Sequence, residues 1–346
     1  MPPKRHGTQG WIAAAGGVLV MAVLLGMLVG PAGPAWWRIP LELSDRLPFI
    51  SVDSGMTETE WRIVWRVRTP RVVLGVLVGG MLSLAGASYQ GVFRNPLVDP
   101  YLLGAAAGAG LGATIAVTSL RGVFEGWPAS PVPALAFFGA IATVFVTYVV
   151  GAGFGGRRTG ITLVLAGVAV SALVTAIQTF IQQRNVEVVR EVFTWILGRL
   201  SLATWGDVRL VLPYVAVCSA ILLFHRRQLD LLRVGEDEAA TLGAPVTRVR
   251  IVVVIAATLG TAAVVSVSGL IAFVGIVVPH LVRLLAGSSY RRVLPLSLLF
   301  GGAFLVLADI PGRVLTNPAE TPIGVVTAFL GAPFFLLVLR LRPANR

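Results

Sequence analysis

Long apolar runs, separated by short polar segments, constrain this chain more than any other feature of its sequence. Each run approaches the roughly 20 apolar residues that a helix needs to cross the hydrocarbon core of a bilayer. Hydrophobic residues make up 56% of the 346 positions and charged residues only 13%, which is about half the charged share of an ordinary soluble domain. The sequence therefore predicts an all-α polytopic membrane protein with about ten transmembrane helices.

The apolar runs also predict a topology. The predicted spans are residues 11–30, 67–90, 101–120, 134–151, 161–180, 208–224, 251–267, 270–285, 293–314 and 323–341. An even number of spans places both termini on one side, and the bias of basic residues toward that side predicts that it is the cytosol. The amphipathic residues 182–201 predict an external helix along the membrane surface, and the glycine-rich residues 268–279 are also compatible with a re-entrant loop.

The scarcity of reactive side chains excludes several kinds of chemistry. The chain has one cysteine, Cys218, one lysine, Lys4, and three histidines. These numbers leave no disulfide within the chain, no P-loop lysine in its body and no ligand cluster for a metal. The net charge of +12 is spread between apolar runs and not gathered in a basic patch, which argues against a nucleic-acid partner. We therefore expect no catalytic residue and no metal site.

One polar segment, residues 230–250, interrupts the apolar pattern between the sixth and seventh spans. Its sequence, DLLRVGEDEAATLGAPVTRVR, predicts a short helix that begins near Gly235, carries three acids in its first turn and stops at Gly243. Because both flanks are long enough to cross a bilayer, this helix must lie at a membrane face. Spacing alone leaves two interpretations open, a solvated loop helix and a docking helix for an aqueous partner.

Three long stretches carry a family resemblance. Residues 68–112 follow the pattern R-x-P-R, then G, L-x-x-x-G, Q, R-N-P-L-x-x-P and L-G. The polar segment contains L-x-x-x-G-E-x-E-A-x-x-L-G, and the last third contains SGLIAFVGIVVPHLVR, LADIPGR and ETPIGVVTAFLGAPFFLLVL. Each stretch resembles the corresponding motif of the FecCD/BtuC-like permeases, the membrane subunits of ABC importers for iron chelates, haem and cobalamin.

This resemblance implies a fold, partners and a location. It implies a single permease domain over residues 1–346, with the BtuC-like bundle of a type II ABC importer and a cytoplasmic coupling helix at about residues 230–247. The implied partners are a second copy of the chain, a cytoplasmic ABC ATPase dimer that binds the ATP and magnesium, and a periplasmic or lipid-anchored substrate-binding protein. The chain itself would bind no cofactor and catalyse no reaction. It would lie in the cytoplasmic membrane of a prokaryote and carry a ferric siderophore or haem, with cobalamin as the alternative.

The resemblance also implies roles for particular residues. The expected ATPase contacts are Gly235, Glu236, Asp237, Glu238, Ala239, Ala240, Leu242 and Gly243. Arg68, Arg71 and Arg313 are expected at the outer mouth, where they would receive acidic side chains of the binding protein. The alternative for these arginines is that they only reach lipid phosphates from a helix end.

Breaks in apolar sequence provide candidates for the transport path or its gate. The candidates are Asn95, Pro96, Gly269, Gly275, Pro279 and Asp309. Each has a structural alternative: a tight turn for the first two, packing or kinking for the glycines and Pro279, and for Asp309 an ion pair with Arg313, four residues on. We expect that ion pair to form. We also expect His280 and Arg283 to face lipid headgroups or the ATPase.

Two other classes of protein stay open at this point. An ion-coupled secondary transporter predicts several intramembrane carboxylates and inverted repeats, whereas the spans contain one carboxylate, Asp309, and no obvious repeat. An intramembrane enzyme requires a nucleophile with a base, or a metal cluster, which the scarcity of cysteine, histidine and lysine disfavours.

Overall fold

The structure, a computed structural model, describes residues 8–30, 35, 37–45, 54–120, 130–153, 160–241, 245–315 and 319–341. In this part of the chain every regular element is a helix. The α-helices are α1 (Thr8–Leu28), α2 (Arg38–Asp45), α3 (Glu58–Ile63), α4 (Thr69–Val92), α5 (Ala105–Ser119), α6 (Val132–Gly153), α7 (Gly160–Arg184), α8 (Val189–Ile196), α9 (Trp205–Phe224), α10 (Arg226–Leu232), α11 (Glu236–Thr241), α12 (Val246–Ser268), α13 (Val274–Ala286), α14 (Tyr290–Val314) and α15 (Ile323–Leu341). A π-helical turn, Val64–Arg68, joins α3 to α4, and a short 3₁₀ turn, Val186–Val188, precedes α8.

The apolar helices confirm the predicted all-α membrane architecture. Within the described residues, 7 helices are long and apolar enough to cross a membrane: α1, the continuous Glu58–Val92 helix, α6, α7, α9, α12 and α14. Three shorter apolar helices, α5, α13 and α15, complete a set that matches the predicted spans one for one. The second span starts earlier than predicted, because α3 and the π turn extend it to Glu58, where a capping box between Thr57 and Glu60 begins the helix.

Glycines allow the central helices to approach closely. α4 lies in the middle of the bundle and is buried along most of its length. α14 packs so tightly against it that a Cβ at Gly79 would collide with the carbonyl oxygen of Gly301, and Gly108 of α5 meets Gly139 of α6 in the same way. Such contacts matter in a bilayer, because lipid tails are as apolar as the helices and leave close packing as a main source of attraction.

The predicted surface helix is present as α8. Val192 is buried on one side of it, whereas Phe193 is exposed on the other. The loop that follows is fixed to the end of α12, because the Arg199 N–H donates to the Ser268 carbonyl at 2.7 Å.

α13 corrects the prediction of a complete eighth span over residues 270–285. It has 13 residues, or about 20 Å at 1.5 Å per residue, and the hydrocarbon core is about 30 Å thick. Helix cannot form earlier, because Gly269 and Phe273 both have a φ of +69° and a right-handed helix requires negative values. Residues 269–273 are irregular backbone, as the re-entrant alternative expects. They are hereafter the gate segment, named for the predicted gate candidate Gly269 that they contain.

Candidate functional sites

Charged side chains meet where α4 begins and α14 ends. Arg71 donates from Nε and Nη2 to the two carboxylate oxygens of Asp309, at 2.8 and 2.9 Å. Its third nitrogen, Nη1, lies 2.8 Å from a carboxylate oxygen of Glu320. Arg313 Nε lies 2.8 Å from Asp309 Oδ2, which confirms the expected Asp309–Arg313 pair. These four residues and Arg68 are hereafter the outer ion cluster, named for the side on which the predicted topology places them.

The arginines of the outer ion cluster also bind the end of α1. Arg68 Nη1 donates to the Met27 carbonyl at 3.1 Å, and Arg313 Nη1 donates to the Gly26 carbonyl at 3.0 Å. The last carbonyls of a helix have no partner within the helix and carry partial negative charge, so cations suit them. The cluster therefore fastens α1, α4 and α14 together.

The three arginines expected at the docking site are buried. Arg68, Arg71 and Arg313 are only 5%, 7% and 3% exposed. Their location near one another is as expected, and carboxylates and carbonyls of the same chain occupy them. Glu320 is the accessible member, with 32% of its side chain exposed. Binding-protein docking at these arginines stays a prediction.

A small cavity opens beside the outer ion cluster. It has a volume of about 190 Å³, and Arg71, Asp309, Glu320 and Arg199 line it. Arg313 Nη2 is buried, and no described group accepts a hydrogen bond from it. Since the three arginines of the cluster exceed its two carboxylates, the cavity is electrostatically suited to a further carboxylate.

The polar segment forms the short helix that its sequence predicts. α11 ends at Thr241. Some of the expected ATPase contacts lie outside the described residues, namely Leu242, Gly243 and the side chains of Glu236 and Asp237.

The described part of α11 has one inward and one outward side. Ala239 is fully buried, whereas Glu238 and Ala240 are exposed. A Cβ on Gly235 would meet the carboxylate of the flexible Glu238 side chain, which would have to move, and the Gly235 φ of +154° favours glycine. Small exposed residues suit insertion into a cleft of a partner, but that role stays a prediction.

The first two gate candidates, Asn95 and Pro96, form the tight turn predicted as their structural alternative. Asn95 is exposed, and its side-chain oxygen accepts the Leu97 N–H at 2.9 Å. The Asn95 carbonyl also accepts the Val98 N–H at 3.3 Å. Asn95 and Pro96 thus form a tight turn stabilised by an asparagine side chain, and a role in gating stays a prediction.

Among the other gate candidates, Gly269 begins the gate segment, and Gly275 and Pro279 follow it in α13. A Cβ on Gly269 would collide with the Trp195 carbonyl, and Gly275 packs against the backbone of α4. Pro279 is buried within α13. These contacts agree with the packing alternative, and flexing during transport stays a prediction.

Tyr101 was not identified from the sequence, yet it holds the gate segment. Its hydroxyl donates to the Ile271 carbonyl and accepts the Ile271 N–H, both at 3.1 Å. Irregular backbone inside a membrane needs such partners within the protein. The two residues lie 170 positions apart, so no local pattern indicates their contact.

Arg283 makes contacts within the bundle, and its expected contact with headgroups or the ATPase stays a prediction. Its Nη1 donates to Gln90 Oε1 at 2.6 Å, and its guanidinium lies 5.7 Å from the ring centre of Tyr290. Gln90 in turn donates to the Gly275 carbonyl at 3.1 Å. Arg283 therefore connects α13 with α4, through Gln90, and with α14, through Tyr290. The His280 ring meets the edge of Phe334.

An apolar groove of about 630 Å³ lies beside the gate segment. The gate segment contributes Leu270 and Ala272, and α15 contributes Gly324, Ala328 and Phe329. Phe329 is 76% exposed. The groove therefore joins the gate segment to an unpartnered face of α15.

These features define a class of protein, a multi-span membrane transport subunit with polar sites at opposite ends of its helices. The chain belongs to the FecCD transport family, whose sequence profile matches residues 18–341. This family consists of membrane permease subunits of ABC transporters, in which the ATPase activity resides in a partner. The permease role that the sequence indicates is thereby confirmed.

Individual relatives differ in the cargo that their names give. The cobalamin import system permease protein BtuC of Halobacterium salinarum is 38% identical over 95% of each chain. The Fe(3+)-citrate import system permease protein YfmD of Bacillus subtilis is 35% identical over 87% of each chain. A metal-chelate type ABC transporter, solved in an inward-facing conformation, is 27% identical with a TM-score of 0.81, covering 96% of this chain and 100% of that chain.

Proposed function

We propose that this permease imports a metal chelate as a homodimer, with both termini in the cytosol. The observation that carries the proposal is the separation of its two polar sites along α14. This helix has 25 residues, or about 37 Å, which is enough to cross a bilayer. Its first residue contacts α10, next to α11, and its last turn holds Arg313.

The α11 end is the proposed site of the ATPase. Basic residues are more numerous in the segments that this orientation puts in the cytosol, as the positive-inside rule requires. Ala240 is small and exposed, so a cleft of the ATPase can approach the backbone of α11 closely. ATP and magnesium would bind to that partner and not to this chain.

The outer ion cluster is the proposed site of the substrate-binding protein. An acidic side chain of that protein would enter the small cavity, which Arg199 and Arg71 line. It would then compete with Glu320 for Arg71 Nη1, because Asp309 occupies the other two donors of Arg71. Glu320 is the more exposed of the two carboxylates, and so the easier one to displace.

The gate segment and the apolar groove are the proposed lining of the path. A second copy of the chain would face the groove, so that cargo crosses along the axis between the two copies. The two halves would alternate between outward-open and inward-open states by rigid-body movement. Phe273 and Gly269, whose φ values are positive, are the proposed points of backbone change.

Two cargoes are supported as candidates. Ferric chelates are the first, because several relatives are named as iron-chelate permeases, including YfmD and the ferric enterobactin permease FepD of Escherichia coli. Cobalamin is the second, and a specific observation favours it: the cobalamin relative is more similar, at 38% over 95% of both chains. All of these cargoes are large metal complexes.

The cargo is tested on the substrate-binding protein that the proposal predicts as a partner of this chain. That protein is purified and titrated calorimetrically with a ferric siderophore, ferric citrate, haem and cobalamin, and the complex is then tested for capture by the permease. Tight binding of one metal complex, with capture by the permease, is the expected result. Binding of an amino acid or a sugar, with none of the metal complexes bound, would contradict the proposal.

A further inference from the structure

Asp230 of α10 contacts the turn between α13 and α14 with both of its carboxylate oxygens. Oδ1 accepts the Tyr290 N–H at 2.6 Å, and Oδ2 accepts the Ser289 hydroxyl at 2.7 Å. The Arg291 N–H lies 3.4 Å from Oδ2. The first N–H groups of a helix lack partners within it, so Asp230 caps α14 from a different element.

Arg233, one helical turn further along the chain, adds to this contact. Its Nη2 donates to the Ser288 hydroxyl at 3.0 Å, and its Nη1 lies 3.8 Å from Asp230 Oδ1. A second cation, Arg291 Nε, lies 3.9 Å from Asp230 Oδ2. The Asp230 side chain is 20% exposed and the Arg233 side chain 44%. Asp230 and Arg233 are hereafter the clasp.

The clasp lies where two helices diverge toward the opposite end of the bundle. α13 leads back to the gate segment, and α14 leads to Asp309 and Arg313. On the other side of the clasp, only residues 233–235 separate α10 from α11. α11 is thus connected, through residues 233–235 and the contacts of Asp230, to α13 and α14. These two helices reach the gate segment and the outer ion cluster.

We propose that Asp230 is a positioning residue that passes movement of α11 to α13 and α14. The proposal rests on the proposed function, because it takes α11 as the ATPase contact. α10 is also held by Leu229 and Leu232, which are buried, but apolar contact allows sliding. Hydrogen bonds from a carboxylate to a backbone N–H weaken within a few tenths of an ångström or with a change of angle, so they make the turn follow α10.

The test uses the complete complex in proteoliposomes, with Asp230→Ala in the permease. Because Leu229 and Leu232 still hold α10, we expect the ATPase to assemble and to hydrolyse ATP. Substrate transported per ATP hydrolysed should fall about fivefold or more, the lower end of ordinary coupling between two sites.

Asp207→Ala is the matched control. Asp207 is also a capping carboxylate and accepts the Thr204 N–H at 2.9 Å, but both residues belong to the start of α9. Asp207→Ala therefore removes a helix cap but breaks no contact between two different helices. Transport per ATP should stay at the wild-type value.

The outcomes separate the two claims. An unchanged ratio of transport to ATP hydrolysis in Asp230→Ala, with only lower thermal stability, would overturn the proposal. If that variant does not assemble, Asp230→Asn with Ser289→Ala removes the charge and one hydrogen bond while leaving an acceptor for Tyr290, and an unchanged ratio there would equally overturn it. A wild-type complex that does not transport would contradict the proposed function and not the role of Asp230.

Discussion

Arg71 and Asp309 share two hydrogen bonds of 2.8 and 2.9 Å, although 238 positions of sequence separate them. Both side chains are less than a tenth exposed. Asp309 also contacts Arg313, so two buried guanidinium groups share this one carboxylate. The stability of the outer end of the bundle therefore depends strongly on this one acid.

Asp309→Ala should destabilise the permease by about 3–5 kcal/mol, the usual cost of leaving a buried charge without its partner. Thermal unfolding in detergent measures this effect. The control is Glu58→Ala, which removes an acid paired with Arg62 where both side chains are more than 60% exposed, and exposed pairs contribute only about 0–1 kcal/mol. Equal melting temperatures for the two variants would contradict the structural role of Asp309.

Glu320→Gln should strengthen capture of the binding protein, because it removes the acid that occupies Arg71 Nη1. Arg199→Glu should weaken capture, and the weakening should be larger at low salt, where electrostatic steering is stronger. Capture by permease in nanodiscs at two salt concentrations measures both. Wild-type affinity and salt dependence in both variants would remove the small cavity from the docking site.

The buried state of the arginines changes which substitutions are informative. Replacing Arg68, Arg71 or Arg313 with Glu would place a carboxylate beside Asp309 or the α1 carbonyls, and such a variant would lose stability whether or not the residue docks a partner. Glu320 and Arg199 avoid this difficulty because both are more accessible than the arginines of the outer ion cluster.

Ala240→Trp should abolish binding of the ATPase while leaving the permease folded, because Ala240 is exposed and Trp would fill the cleft that receives α11. Co-purification of the ATPase measures binding, and the melting temperature reports folding. Val186→Trp is the control, since Val186 is 72% exposed at the opposite end of the bundle. Normal ATPase binding by Ala240→Trp would exclude α11 as the coupling helix.

Tyr101→Phe should loosen the gate segment without unfolding the bundle. The variant leaves the Ile271 N–H and carbonyl without the hydroxyl, at a cost of about 1–3 kcal/mol for unsatisfied buried groups. A cysteine at Leu270, in a Cys218→Ser background, should then react faster with a water-soluble thiol reagent. An unchanged reaction rate would show that Tyr101 does not control the gate segment.

The sequence predicted the helices well because length and apolar composition decide them. A run such as residues 208–224 has few alternatives to crossing a bilayer, and it appears as α9. The Asp309–Arg313 pair was equally predictable, because residues four apart lie on one helical face.

The remaining features depend on contacts between distant parts of the chain. The start of α13 depends on the conformations of Gly269 and Phe273, which Tyr101 and neighbouring elements stabilise. The burial of Arg71 depends on Asp309 and Glu320, which lie 238 and 249 positions away. No local pattern reports such pairings.

The central claim is that this permease couples a binding protein at one end to an ATPase at the other. The most direct test is uptake of the cargo into sealed proteoliposomes that contain the permease and its ATPase, with the binding protein outside, ATP inside and ion gradients collapsed by ionophores. We predict uptake that requires both ATP and the binding protein. Uptake that persists without ATP and disappears with the ionophores would contradict the account and indicate an ion-coupled transporter.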